Sequence, residues 1–277
     1  VQRAYWKEEL KDIPGPVSII TTKTHHQLKR IKAGHYTFQL GTGELAQIQD
    51  LSRRYNISEF GVIISLLNFT LLHHTGKRDI TIGFDVSGRV TPEMEHLIGY
   101  TLNTLCLRIQ LDTSLSFAGL LELVRKKLLL ALKHQHYPFE MQLEDYRLEI
   151  TNRSSGLFGM LVLYQDFHQQ PLLPGFKHCS IEQQPVFANE SMSDIVMEWT
   201  THKTGATVVV HYSNDHGTEP VVSAFMHRFR ELLKETSFYA DKLLDNFSGL
   251  SPIPKAEWMP LPDFNIKRLH VPVHKLF

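Results

Sequence analysis

The chain has 277 residues, of which 42% are hydrophobic and 21% charged. That is ordinary for a globular protein and enough to build a substantial core. Lys plus Arg and Asp plus Glu both total 29, so no net charge steers the chain toward nucleic acid or an anionic membrane. No apolar run approaches the roughly 20 residues that span a bilayer, and the opening VQRAYWKEEL does not read as a secretory signal.

In chain order, GELAQIQDLSRRY (43–55) has helical periodicity. Ser58 is placed to cap a second helix, 59–74, with Glu59 in its first turn. That segment is apolar nearly all round, the mark of a buried helix, and Thr75-Gly76 ends it. DITIGFDV (79–86) reads as a strand, with Gly83 either weakening it or letting another backbone come close. YTLNTLCLRIQL (100–111) alternates as a second strand, and residues 116–134 form a Leu-rich helix stopped by Pro138. A short helix over 139–147 and an apolar strand over 159–167 follow. SIEQQPV, SDIVMEW and ATVVVHYS read as strands, and 219–236 as a last amphipathic helix. Past about 248 the text is Pro-rich, a linker or surface tail. Strands and helices interleave without strict β-α-β order, so the expected class is α/β with a mixed sheet.

Two cysteines, Cys106 and Cys179, show no partner pattern and read as reduced thiols of a cytoplasmic protein. Five Asn-x-Ser/Thr matches, at Asn56, Asn68, Asn152, Asn189 and Asn246, read as chance; Asn68 lies inside the apolar helix.

Sixteen histidines invite a catalytic or metal reading. Acyl transfer of the acetyltransferase type uses His-His-x-x-x-Asp-Gly, in which a loop histidine acts as base or orienting group. Counting from His73-His74 puts Arg78 and Asp79 at the Asp and Gly positions, and counting from His25-His26 puts Arg30 and Ile31 there. Both fail. His73-His74 is expected to sit at a helix C-terminus and complement its dipole, and His25-His26 in a solvated loop. No His-x-x-x-His with a nearby carboxylate and no Cys-x-x-Cys occurs, so no metal site is expected. A phosphate-binding Gly loop, a dinucleotide fingerprint and a Gly-x-Ser-x-Gly elbow are absent as well.

Four segments together resemble the condensation domains of nonribosomal peptide synthetases. VSGRVTPEMEHLIGYTLNTLCLRI (86–109) is similar to a family stretch with Gly-Arg, then Ile-Gly, then Asn-Thr-x-x-x-Arg, matched by Gly88, Arg89, Ile98, Gly99, Asn103, Thr104 and Arg108. HQHYPFE (134–140) resembles the family's His-Gln-Asp-Tyr-Pro-Phe-Glu, with His136 for Asp. NRSSGLFGMLVLYQDF (152–167) matches a third stretch, with Gly156 for Pro and Asp166 for Asn, and AYWKEEL (4–10) resembles a Tyr-Trp helix.

The resemblance implies one lobe of a chloramphenicol-acetyltransferase-like fold: the C-terminal, acceptor-side lobe over 1–247, with 248–277 a linker toward an adenylation domain. The family's His-His motif belongs to the N-terminal lobe, so no catalytic residue is expected in this chain. Implied partners are that lobe, carrier proteins bearing phosphopantetheine arms, and the adenylation domain; no cofactor is bound directly. Ser87, Gly88, Arg89, Asn103, Thr104, Tyr164, Gln165 and Asp166 are the implied tunnel residues. Arg89 would contact a phosphate or carboxylate, and Asp166 would attract an acceptor ammonium. Asn103 has two readings, a tunnel-floor amide or a bond to neighbouring backbone. Arg108 is expected in a buried ion pair, and Pro138, Phe139 and Glu140 at the join of two helices. The loop from Phe167 to about Phe187 is implied to cross to the other lobe. An epimerisation or cyclisation relative, a non-catalytic carrier-docking module, and a stand-alone acyl transferase are the competing readings.

Overall fold

The computed structural model describes residues 1–19, 33–112, 114–149, 156–166, 195–213 and 218–247. Helix α1 (Gln2–Glu9) precedes strand β1 (Ala33–Gly41), helices α2 (Thr42–Tyr55) and α3 (Glu59–Thr75), and strand β2 (Asp79–Val86). A short α4 (Pro92–Glu95), β3 (Asn103–Gln110), α5 (Phe117–Lys133) and α6 (Phe139–Glu149) follow. The rest is β4 (Met160–Asp166), β5 (Ile195–His202), β6 (Gly205–Ser213), α7 (Thr218–Phe238) and a 3₁₀ turn, Leu244–Asn246. The expected linker (248–277), strand 180–186, crossing loop, Cys179 and His25-His26 all lie outside the described residues.

The strands form one mixed sheet in the order β1-β6-β5-β4-β2-β3. β2, β4 and β5 run parallel; β3 is antiparallel to β2, and β6 to both β5 and β1. Strand alternation assigns the faces. Phe84 and Tyr164 meet Phe60 of α3, and Trp199 meets Phe229 of α7, so one face packs against the α2–α3–α5–α7 layer. On the opposite parity, Arg108 donates to the Glu9 and Lys11 carbonyls at the end of α1. Helices α1 and α6 therefore cover the other face at the β3 edge. The mixed α/β expectation holds.

Helix α3 is the central beam of the core, with every residue from Gly61 to Leu72 buried. Its hydroxyl and amide donors are satisfied inside the helix, while Asn68 Oδ1 has no hydrogen-bond partner among the described residues. Ser65, Asn68 and Thr70 each donate to the carbonyl four residues back, at 2.8, 2.8 and 2.7 Å, which offsets much of the cost of burying them. Ser58 Oγ accepts from Gly61 N at 3.1 Å and Gly76 closes the other end at φ +68°, as expected.

Three expectations need correction. Strand β1 has no counterpart in the elements read from the sequence; it pairs only with β6, at the sheet edge, and within it only Phe38 and Leu40 are buried. What approaches Gly83 is the ring of Phe158, which would lie 2.4 Å from a Cβ there, rather than backbone. His73 and His74 do occupy the last turn of α3, but not as dipole-complementing cations. Burial, with the charge of Arg228 second, pushes His73 down to about 4 and lowers His74 too. Both are neutral rings at pH 7, packed edge-on against Phe69 and Phe225.

No single described helix is long and apolar enough to cross a membrane; α2 and α3 reach that length only together, and they meet at a bend of 104°.

Candidate functional site

The parallel strands β2 and β4 end side by side, and antiparallel β3 begins there. Open α/β sheets take ligands at the carboxyl ends of such strands. Ser87, Gly88, Arg89, Asn103, Thr104, Tyr164, Gln165 and Asp166 all fall at this one end of the sheet. The structure thus gathers the candidates into one region, though it gives them different tasks.

Gly88 is required by geometry. Its φ is +65°, and a Cβ would lie 2.0 Å from the Thr101 carbonyl oxygen. That close approach lets Thr101 Oγ1 donate to the Ser87 carbonyl at 2.8 Å and cinch the base of the 87–102 loop. Ser87 Oγ accepts from Arg89 N at 3.3 Å. The Arg89 guanidinium donates to the carbonyls of Met94 (2.6 Å), Leu97 (2.7 Å) and Gly99 (3.4 Å). It organises its own loop. The loop's apolar side chains Leu97, Ile98 and Tyr100 face outward.

Asn103 resolves its two readings by bonding backbone. Its Nδ2 donates to the Gln135 and Tyr137 carbonyls at 2.7 and 3.0 Å, and its Oδ1 accepts from Phe139 N at 3.0 Å. One side chain fastens the α5–α6 turn to the start of β3. Pro138 leads that turn into α6, where Phe139 packs on Phe158 and Glu140 is exposed in the first turn. Thr104 donates to Asp85 Oδ1 at 2.6 Å across the β2–β3 pair. Arg108 makes the expected buried pair, Nε and Nη2 to the two Asp79 oxygens at 2.9 and 2.6 Å. The hydrogen bonds it donates to Asp79 raise its pKa further, so it stays charged. Gln165 is exposed, and Asp166 ends β4 with its side chain outside the described residues.

Beside these residues opens a groove of about 590 Å³. Its floor is the aromatic run Phe84–Phe60–Tyr164, with successive ring centroids 5.5 and 5.7 Å apart. Its wall is the α5 stripe Arg125, Leu128, Leu129 and Leu132. Ile57 and Ser58, entering α3, close one end. Of the tunnel candidates read from the sequence only Tyr164 lines it. The α5 stripe was a missed signal, because Leu129, Leu130 and Leu132 carry more leucine than the core consumes; they are 58%, 43% and 39% exposed.

Among the described residues no cluster of three or more His, Cys, Asp or Glu can hold a metal ion. Cys106 is buried, and burial raises its pKa far above the reactive range, so it is inert packing.

The described residues thus form a mixed α/β fold with an apolar groove at its strand ends. The chain belongs to the condensation-domain family, whose model matches residues 1–257. A linear gramicidin synthase of Brevibacillus parabrevis is 28% identical over 234 residues, covering 84% of this chain and 5% of that protein. Surfactin synthase subunit 1 of Bacillus subtilis is 23% identical over 273 residues, covering 99% of this chain and 8% of that protein. The chain therefore spans a small fraction of these relatives. Among solved structures, the X-domain from teicoplanin biosynthesis superposes with TM-score 0.74 at 16% identity, over 90% of this chain and 57% of that one. The first condensation domain of the calcium-dependent antibiotic synthetase, in complex with a substrate analogue, gives 0.67 at 19% identity, over 88% and 52%. These likenesses establish the fold, one mixed sheet flanked by helices, as that of condensation domains.

Proposed function

We propose that this chain is the acceptor-side lobe of a peptide-bond-forming condensation domain. It works with an N-terminal lobe that supplies the His-His-x-x-x-Asp-Gly motif, and is inactive alone. Its substrates are aminoacyl and peptidyl thioesters delivered on the phosphopantetheine arms of cytoplasmic carrier proteins. Residues 248–277 lead toward an adenylation domain. In the reaction the acceptor amine attacks the donor thioester carbonyl. A C–N bond forms, the C–S bond breaks, and the amine proton leaves as the donor thiol is released.

The observation that carries this reading is the state of His73-His74. The only His-His pair among the described residues is locked in the end of α3, neutral and held against aromatic rings. A pair packed this way is not placed to meet a substrate, which supports the reading that the general base belongs to another lobe. What this chain offers instead is positioning: a rigid sheet end, a tied loop and an apolar groove. Holding two thioesters in reach of each other is a large catalytic term by itself.

The test is single-turnover peptide transfer between two loaded carrier proteins, with this chain alone and with its N-terminal lobe restored. Transfer only in the restored protein is expected. Transfer by the chain alone would overturn the reading, and carrier binding without transfer in both cases would favour a docking module.

A further inference from the structure

We propose that the groove between α3 and α5 is the subsite that reads the acyl substituent of a carrier-bound substrate, and that it selects a large, uncharged apolar side chain. This rests on the reading of the chain as a condensation lobe.

Three observations lead there. The first is placement. The groove opens at the carboxyl ends of β2 and β4, beside the residues that tie the 87–102 loop and the α5–α6 turn. The second is size. About 590 Å³ lies in the range of sites that enclose small organic ligands. It holds a bulky side chain together with part of the arm that bears it. The third is chemistry. Phe60, Phe84, Leu128, Leu129, Leu132 and Tyr164 give the groove an apolar lining. Among the described residues Asp85 and Arg125 are its only charged lining residues, of opposite sign, so they give the groove no net charge to compensate a charged occupant. Asp85 is further committed, with Oδ1 taking the Thr104 hydroxyl at 2.6 Å. A lysyl side chain would lose its hydration against aromatic and leucine surface, facing Arg125 of like charge and an Asp85 that already accepts the Thr104 hydroxyl. A leucyl or phenylalanyl side chain gains by the same burial.

Leu129 is the specificity-determining residue most open to test. It projects from α5 and is 58% exposed, so replacing it leaves the core alone. Phe60 and Tyr164 are the floor against which it would close on a ligand.

The experiment is calorimetric titration of this chain with four non-hydrolysable pantetheine amides: glycyl, leucyl, phenylalanyl and lysyl. Full burial of a Leu or Phe side chain predicts roughly 10- to 100-fold tighter binding than glycyl, with lysyl no better than glycyl. Leu129→Trp, which narrows the groove, and Leu129→Ser, which removes its wall, should both bring the leucyl-to-glycyl ratio toward one. Thermal melts verify that both variants are folded. If all four amides bind with the same affinity, or lysyl binds tightest, the selectivity proposal fails while the condensation reading stands. A ratio that survives both Leu129 variants places the selecting surface elsewhere and overturns the assignment. If no pantetheine amide binds at all, the subsite assignment fails, while the condensation reading is decided separately by the transfer assay with the N-terminal lobe restored.

Discussion

Replacing Asn103 by Ala separates a positioning role from substrate contact. In the native fold its amide makes three hydrogen bonds to the α5–α6 turn: to Gln135 O, to Tyr137 O and from Phe139 N. The Tyr137 carbonyl keeps a second donor, Gln142 Nε2 at 3.1 Å, so it survives the loss. Gln135 O and Phe139 N do not. Leaving two partly buried backbone groups unpaired costs about 1 kcal/mol each, or about 2 kcal/mol together. For a domain of this size that lowers Tm by roughly 4–8 °C. The assay is urea unfolding of the chain with m held constant. Asn103→Asp is the control, because it keeps an acceptor for Phe139 N but turns a negative charge toward two carbonyls; it should be at least as damaging. Losses below about 0.5 kcal/mol for both variants, the range of ordinary surface changes, would refute the positioning role. Slowed transfer in a completed domain at unchanged stability would show that Asn103 touches substrate instead.

Acid should destabilise the chain through His73. Its folded pKa is held near 4 against an unfolded 6.5, so the unfolded chain takes up a proton that the native state refuses. The stability is intact above pH 6.5 and is lost as pH falls toward 4. The full shift is discounted for partial exposure to about 1–2 kcal/mol, and His73→Gln should flatten that part of a urea-midpoint profile. Arg108→Met takes the guanidinium from Asp79 and from the Glu9 and Lys11 carbonyls, leaving Asp79 the 3.3 Å bond from Gln110, and should cost roughly 3 kcal/mol. Arg108→Lys should recover little of it, because an ammonium cannot match the two-oxygen fork; hydrogen exchange over residues 2–13 would report the loosened helix. Gly88→Ala forces a Cβ onto the Thr101 carbonyl and should cost about 1–3 kcal/mol, with new protease cleavage confined to 87–102. Unchanged proteolysis would mean the loop is not closed at that point.

What the sequence discloses depends on whether a feature is local. Helix α3 is legible because its apolar residues, its Ser58 cap and its Gly76 stop are contiguous and agree. Strands β2 and β3 are legible by alternation. Strand β1 escapes notice: as an edge strand it buries only one side, and two of its residues, Phe38 and Leu40, supply the whole signal. The histidines show the limit differently. Their place at the end of α3 can be read, but their protonation cannot, because it is set first by burial in the finished fold and then by the charge of Arg228, distant in sequence.

The candidate site follows the same rule with a sharper consequence. Asn103, Thr104 and Arg108 stand out only through a motif, and a motif does not say which atoms a side chain will meet. In the fold all three turn out to spend their polar groups on the protein itself. The groove, by contrast, has no motif, being assembled from α3, β2, α5 and β4. The residues that look functional in sequence fix the geometry, and the surface best fitted to a ligand is built from leucines and aromatics that look like ordinary core. This division suits the positioning role proposed for the chain. Motif residues must be invariable in geometry, because they hold a loop and a turn in register with the sheet end. Groove residues need only be apolar and of the right size, so they can change with the substrate while the scaffold stays fixed. Exchanging side chains at Leu129 and Leu132 should therefore alter which acyl group is held without altering stability, whereas no exchange at Asn103 or Arg108 should be free of that cost.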